Sequence, residues 1–296
     1  MGTARFGRVL TAMITPFTDD GELDVDGAVT LARWLVAHGS DGLVVAGTTG
    51  EGPTLTDDED VLLWNAVRAA VDVPIVAGAG TNDTRHTCEL VQRAAATGVD
   101  GLLIVAPYYN KPSQAGFEAH FRAVGAATDL PIVLYDIPGR TGRKVDTDVI
   151  VRLALEVPTI AGLKDAGGNP AETAKVIAAA PHDFDVYSGD DPMTLPLLAV
   201  GAVGVIGTAT HWCGAQMGEL IAAFEKGDHE RARELNASLF ESYWYESRDH
   251  AQFAQCVKTA MRCLGLPSGP CRLPIGPEPE GLAVEAMAML DRLGRP

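Results

Sequence analysis

Along residues 9–206 the apolar positions fall into two alternating patterns. One is a short, mostly aliphatic run. The other is a longer stretch with apolar residues at helical spacing. The short runs lie at 9–14, 42–46, 74–77, 101–106, 131–135, 159–164, 184–187 and 204–206. They lack strict apolar–polar alternation, the pattern of strands covered on both faces. The amphipathic stretches between them lie at 26–38, 57–71, 84–97, 116–128, 147–155 and 170–179. The first carries Val29, Leu31, Trp34 and Leu35 on its apolar face, the second Val61, Leu62, Trp64 and Val67. Strands alternating with helices imply parallel pairing and right-handed crossovers.

About eight such units precede residue 210, the repeat of an α/β fold of the (β/α)8 TIM barrel type. A doubly wound open sheet is the competing architecture. It wants a glycine-rich fingerprint after the first strand, and Thr15-Pro16-Phe17-Thr18 stands there instead. Beyond residue 210 the pattern turns helical over 211–226, 228–263 and 281–293, with breaks at Gly227 and across the Pro/Gly-rich 266–279. The expected division is a barrel over 1–210, with its active site at the C-terminal strand ends, and a C-terminal helical extension over 211–296 packed on it.

Composition narrows the class. With 47% hydrophobic and 21% charged residues the chain has ordinary globular proportions. At 296 residues it can bury a full core without covalent staples. Five cysteines, odd in number and without a CxxC pair, suit free thiols in a reducing compartment. No signal-peptide pattern or long apolar span occurs, so the expectation is a cytoplasmic protein without a membrane partner. A net charge of −16 argues against nucleic acid. It also makes isolated cations near the strand ends more telling.

In a parallel barrel every strand ends at the same mouth. The residues gathered there are Gly47-Thr48-Thr49-Gly50-Glu51, Pro107-Tyr108-Tyr109-Asn110-Lys111, Tyr135-Asp136 with Arg140 beyond a Pro-Gly turn, Lys164-Asp165, Ser188-Gly189-Asp190-Asp191 and Gly207-Thr208. A lysine ending a buried strand loses hydration, which lowers its pKa and frees amine for Schiff-base formation. Taken alone it is also read as a snorkelling side chain or as the partner of Asp165. The Gly47–Gly50 loop suits an anion nest or a plain turn. Tyr135, one strand from Lys164, suits proton transfer or core packing. Thr48 and Tyr109 extend a proton path, or Tyr108 and Tyr109 together form an aromatic contact between subunits. Arg140 suits a bidentate grip on a carboxylate or a solvated position. The seven histidines are scattered without metal-ligand spacing. Asp190-Asp191 suits a Mg²⁺ ligand pair or a turn, and neither a GxSxG elbow nor a P-loop is present. An amine-dependent aldolase is preferred over a metal-dependent one.

Gly47-Thr48-Thr49-Gly50-Glu51, Tyr135-Asp136-Ile137-Pro138-Gly139-Arg140-Thr141 and Gly162-Leu163-Lys164-Asp165 stand in the order and spacing of a known family. In these motifs the chain resembles, over nearly its whole length, the pyruvate-dependent class I aldolases, the family of dihydrodipicolinate synthase and N-acetylneuraminate lyase. The resemblance implies the barrel with its helical tail, an imine between Lys164 and pyruvate, and a proton relay through Tyr135, Thr48 and Tyr109. It implies pyruvate carboxylate binding by Thr48 and Thr49 and a pocket lined by the backbone of Gly189 and Ile206. It implies a covalent imine in place of any metal or organic cofactor, and a homotetramer, at least a homodimer, in which Tyr109 reaches the neighbouring site. Arg140 favours the synthase branch, in which pyruvate condenses with L-aspartate 4-semialdehyde to 4-hydroxy-tetrahydrodipicolinate for lysine biosynthesis. The substrates are then small molecules, pyruvate and an aldehyde carrying a carboxylate. The alternatives are a related aldolase or lyase of 2-oxo sugar acids and a non-catalytic oxo-acid-binding barrel. Asp136 and Asp165 depart from a frequent Asn and Glu. At positions resembling a lysine feedback site, Asn82 and Tyr108 are kept, His86 replaces an acid, and Asp57 and Asp60 replace histidines. Weak or absent inhibition by lysine is expected.

Overall fold

The computed structural model describes residues 3–296, so the first two residues of the expected 1–210 segment lie outside the description. Eight short strands form a closed parallel barrel in chain order. They are Val9–Ala12 (β1), Gly42–Val45 (β2), Ile75–Gly78 (β3), Gly101–Val105 (β4), Ile132–Asp136 (β5), Ile160–Asp165 (β6), Asp185–Ser188 (β7) and Gly204–Gly207 (β8). β1 pairs with both β2 and β8, which closes the ring. All eight expected runs are strands, displaced by a residue or two at their ends. The one-residue extensions of β5 and β6 carry Asp136 and Asp165 into the barrel rim.

The apolar core has two layers. Inside the ring, Leu10, Val44, Val76, Leu103, Val133, Tyr135, Tyr187 and Ile206 interdigitate, with Phe6 packed among them. Outside it, the strand faces pack on the helices. Each strand is thus buried on both sides, which is why its apolar run did not alternate.

The helices begin where capping chemistry puts them. Thr56 and Glu59 form a reciprocal capping box at the start of Asp57–Ala70. Asp83, Ser113 and Asn169 accept backbone N–H groups at the starts of three others. On Asp57–Ala70 the buried apolar residues are Leu63, Trp64 and Val67, whereas Leu62 is half exposed. The expected apolar face was therefore one residue out of phase at that position. A helix at Thr194–Val200, between β7 and β8, had not been separated from the surrounding apolar residues.

Past β8, Thr210–Glu225 packs on β1 and completes the outer helices, so the expected boundary at 210 falls at its first residue. The long helix expected over 228–263 is three helices, His229–Ser238, Phe240–Glu246 and Phe253–Cys263. The last break has a local cause. Gln252 and Gln255 form a capping box, which starts a new helix where the apolar periodicity ran on. Leu282–Leu293 ends the chain's regular structure and packs on Phe253–Cys263. No helix is long and apolar enough to cross a membrane among the described residues.

Candidate active site

The site is built from strand register. Tyr135 on β5 lies beside Lys164 on β6, and Lys164 lies beside Tyr187 on β7. Tyr135 and Tyr187 both belong to the inner core, so Lys164 shares the inward-facing layer. Its side chain is only 5% exposed. Nζ lies 4.4 Å from the centroid of the Tyr135 ring. Burial pushes the Lys164 pKa down to about 8, with the Asp191 charge pulling it up and the Arg140 charge pushing it further down. A sizeable fraction of free amine is then present at neutral pH. The pairing with Asp165 is not made. Asp165 accepts hydrogen bonds from Thr173 Oγ1 at 2.6 Å and from the Gly167 N–H at 2.8 Å.

Tyr135 is as buried as Lys164. Burial raises its phenol to about 12, while Arg140 and a hydrogen bond to the Thr48 side chain partly offset the rise. It therefore stays protonated at neutral pH and is available as a donor. Thr48 and Thr49 follow β2 in a loop whose ends, Ala46 and Glu51, both take the left-handed backbone conformation. Such a turn aims successive N–H groups into one concavity. Thr15 Oγ1 donates to the Gly50 carbonyl at 2.6 Å, and a Cβ on Gly50 would lie 2.9 Å from the Met13 carbonyl oxygen. Only glycine lets that loop settle on the strand below it. Thr49 is buried, with its hydroxyl 3.4 Å from that of Thr208.

Gly189 donates its N–H to the Asp165 carbonyl at 2.8 Å, and a Cβ there would stand 2.9 Å from Lys164 Cγ. Its missing side chain leaves the lysine stem room. Ile206 is fully buried in the inner core. Arg140 sits on a one-turn helix, Pro138–Thr141, with its guanidinium 4.3 Å from the centroid of the Phe253 ring. Thr48, Tyr135 and Arg140 line one cleft of about 390 Å³ that runs outward past Asn82, His86, Asp57, Asp60 and Tyr108. In that outer part His86 Nε2 pairs with Asp57 at 2.9 Å, and Asp60 is buried and raised to about 8.

Lys164, Thr49, Gly189 and Ile206 are not in the lining of that cleft, and Lys164, Thr49 and Ile206 are buried; Tyr109 is the candidate that the single chain leaves in solvent. It is 88% exposed, with φ of +70°, and does not line the cleft. That conformation costs about 1–3 kcal/mol for a bulky residue. Among the described residues no group of three His, Cys, Asp or Glu side chains is placed to hold a metal ion. Asp191 instead accepts the Thr208 N–H at 2.8 Å, within a 3-10 turn at Asp191–Met193.

Two supports were missed in the sequence. Glu51 and Lys258 form a fully buried ion pair at 2.5 Å, and Lys258 Nζ also donates to the Pro270 carbonyl at 2.8 Å. Arg272 donates its backbone N–H to Glu51 and its guanidinium to Glu59, Thr54 and Gly21. Lys258 comes from Phe253–Cys263 and Arg272 from the irregular segment that follows it, and both hold the loop that carries Thr48 and Thr49. The only local signal was a lysine on the apolar side of an amphipathic stretch.

Comparison with known proteins places this geometry. Residues 5–292 match the model of the dihydrodipicolinate synthetase family. A 4-hydroxy-tetrahydrodipicolinate synthase of Acidothermus cellulolyticus is 54% identical, over 92% of this chain and 87% of that protein. One of Moorella thermoacetica is 50% identical, over 92% of each. Among solved structures, a dihydrodipicolinate synthase of Cyanidioschyzon merolae with lysine bound has a TM-score of 0.95 at 40% identity, covering 98% of each chain.

Proposed function

The chain belongs to the dihydrodipicolinate synthetase family, and we propose that its barrel mouth condenses pyruvate with L-aspartate 4-semialdehyde, giving 4-hydroxy-tetrahydrodipicolinate for lysine biosynthesis. The observation that carries the assignment of roles is the buried Lys164 amine held against the Tyr135 ring with its pKa lowered to about 8.

In this reading Lys164 Nζ attacks C2 of pyruvate. Tyr135 gives a proton to the carbinolamine hydroxyl, which leaves as water. The protonated imine is the electron sink when the methyl group loses a proton, so the step asks for no metal or organic cofactor. The resulting enamine attacks the aldehyde carbon. The substrate amine then adds to C2, closes the ring and displaces Lys164. Thr48 and Thr49 hold the pyruvate carboxylate, Gly189 and Ile206 line its pocket, and Arg140 grips the aldehyde's carboxylate. Thr48 passes protons between Tyr135 and Tyr109 of a neighbouring subunit. The exposed, strained Tyr109 supports that last role, and with it a homotetramer, or at least a homodimer. Residues 1–210 are then the catalytic barrel and 211–296 the extension that braces its mouth, in a cytoplasmic enzyme.

The test is borohydride reduction with pyruvate followed by intact mass. A single adduct that is lost in Lys164→Ala is expected. An absent adduct would point to a non-catalytic barrel. Coupled assays then separate the aldehyde from 2-oxo sugar acids, and Arg140→Ala should harm only the first.

A further inference from the structure

Behind Lys164 lies a buried pair of acids that the proposed reaction does not use. Asp191 is 3% exposed and Glu246, the last residue of Phe240–Glu246, is 8% exposed. Asp191 Oδ2 accepts the Thr208 N–H at 2.8 Å. Its Oδ1 is wedged against β8, where a Cβ on Gly207 would stand 2.4 Å away. Among the described residues that oxygen and Glu246 Oε2 are buried without a hydrogen-bond partner. The turn that opens with Asp191 packs on the helix that ends in Glu246, and burial raises the pKa of both acids; the Asp191 charge raises Glu246 further, whereas Glu246, as a donor, lowers Asp191.

Two carboxylates enclosed together cannot both ionise. The surroundings decide which one does. Asp191 has the Thr208 N–H and the charge of Lys164 to stabilise an anion. Glu246 has the Ala209 N–H, but its burial and the charges of Asp191 and Asp190 outweigh that and disfavour one. Those facing the pair are Asp190 just before the 3-10 turn, Tyr243 from Glu246's own helix, Cys213 from Thr210–Glu225, Cys256 from Phe253–Cys263 and Lys164 from β6. Lys164 is the only cation among them.

We propose that Asp191 and Glu246 are a singly ionised carboxyl pair that supplies the counter-charge to the nitrogen of Lys164. Glu246 carries the proton and donates it to Asp191, and Asp191 carries the charge. Both are positioning residues. The charge steadies the ammonium before reaction and the protonated imine after it, which is the state that draws electrons from the pyruvate methyl group. The proton stays between the two oxygens, and no bond to carbon is made by either. The inference rests on imine formation at Lys164.

The experiment measures borohydride trapping of pyruvate against pH, and exchange of the pyruvate methyl protons for deuterium by NMR. In Asp191→Asn the counter-charge is gone. The acidic limb of trapping should move down by about one pH unit, and methyl exchange should slow by about tenfold. Glu246→Leu removes the donor, lets Asp191 take up the proton and should change both readouts in the same direction. Glu246→Gln still donates a hydrogen bond and should restore both to near the parent values. A Gln variant as impaired as the Leu variant would show that a second charge, not a donor, is needed. An Asp191→Asn variant with an unmoved limb would overturn the counter-charge. If the parent protein itself traps no pyruvate, the imine reading fails and not the pair.

Discussion

At Lys164 the chemistry depends on a balance between one favourable and one unfavourable surrounding. Burial lowers its pKa and Asp191 raises it. Imine trapping should therefore climb as pH rises toward about 8 and level off above it, because only the free amine attacks. Measuring the trapping rate across pH checks this, and a flat profile would mean that the amine is not the titrating group. Tyr135→Phe keeps the ring but removes the proton, and should cost on the order of 10²-fold in kcat, the usual scale of a lost general acid. Farther out, neither of the two carboxyl groups lining the cleft, Asp57 and Asp60, is free to meet an ammonium. Asp57 is engaged by His86 at 2.9 Å and by Arg93, and Asp60, raised to about 8, is neutral at pH 7. Lysine should thus be a poor inhibitor, and potent inhibition in a steady-state assay would contradict that. Lys164, Tyr135, Thr48 and Arg140 were all legible in the sequence, because each ends a strand or follows one closely. Asp191 was legible only as an acid in a turn. Its partner lies on a helix that no local pattern connects to it.

The elements that matter most to the site are the loop after β2 and the C-terminal helices that brace it. Glu51 and Lys258 are both buried, so removing one leaves the other charge without its partner. Glu51→Ala should destabilise by about 3–5 kcal/mol, read from denaturant midpoints at constant slope. Replacing both residues by apolar ones of similar volume should be milder. Phe253 covers Arg140 from the start of its helix. A cation–ring contact at a reachable site contributes about 0.5–1 kcal/mol. Phe253→Ala should therefore raise KM for the aldehyde by about two- to fivefold and leave KM for pyruvate nearly unchanged. This level was partly hidden in the sequence. The apolar period ran unbroken over 228–263, so the capped start at Gln252, which aims Phe253 at the mouth, was not separated from it.

For the molecule as a whole, one buried histidine joins the two ends of the ring. His211 Nδ1–H donates to the Thr208 carbonyl at 2.8 Å, and its Nε2 accepts the Ile14 N–H at 3.1 Å. Burial lowers its pKa from 6.5 to about 4. The folded state thus resists a proton that the unfolded chain accepts. The stability this gives is complete above pH 6.5 and is lost as pH falls toward 4. Acid titration of thermal stability should show that slope, and His211→Gln, which cannot take up the proton, should have less of it. Glu59 adds a lower step. The Arg272 side chain holds it down to about 2, so its contribution is lost between pH 4.5 and 2. The sequence by itself determined the number and order of strands, the mouth they share and the side chains ending there. Those follow from local periodicity and from the parallel topology that alternating strands and helices impose. The tertiary structure alone decided the partners of those side chains. Glu51 with Lys258, Asp191 with Glu246 and Arg140 with Phe253 join residues far apart in the chain. Charge pairing in a core depends on which surfaces exclude water together, and no window of neighbouring residues contains that.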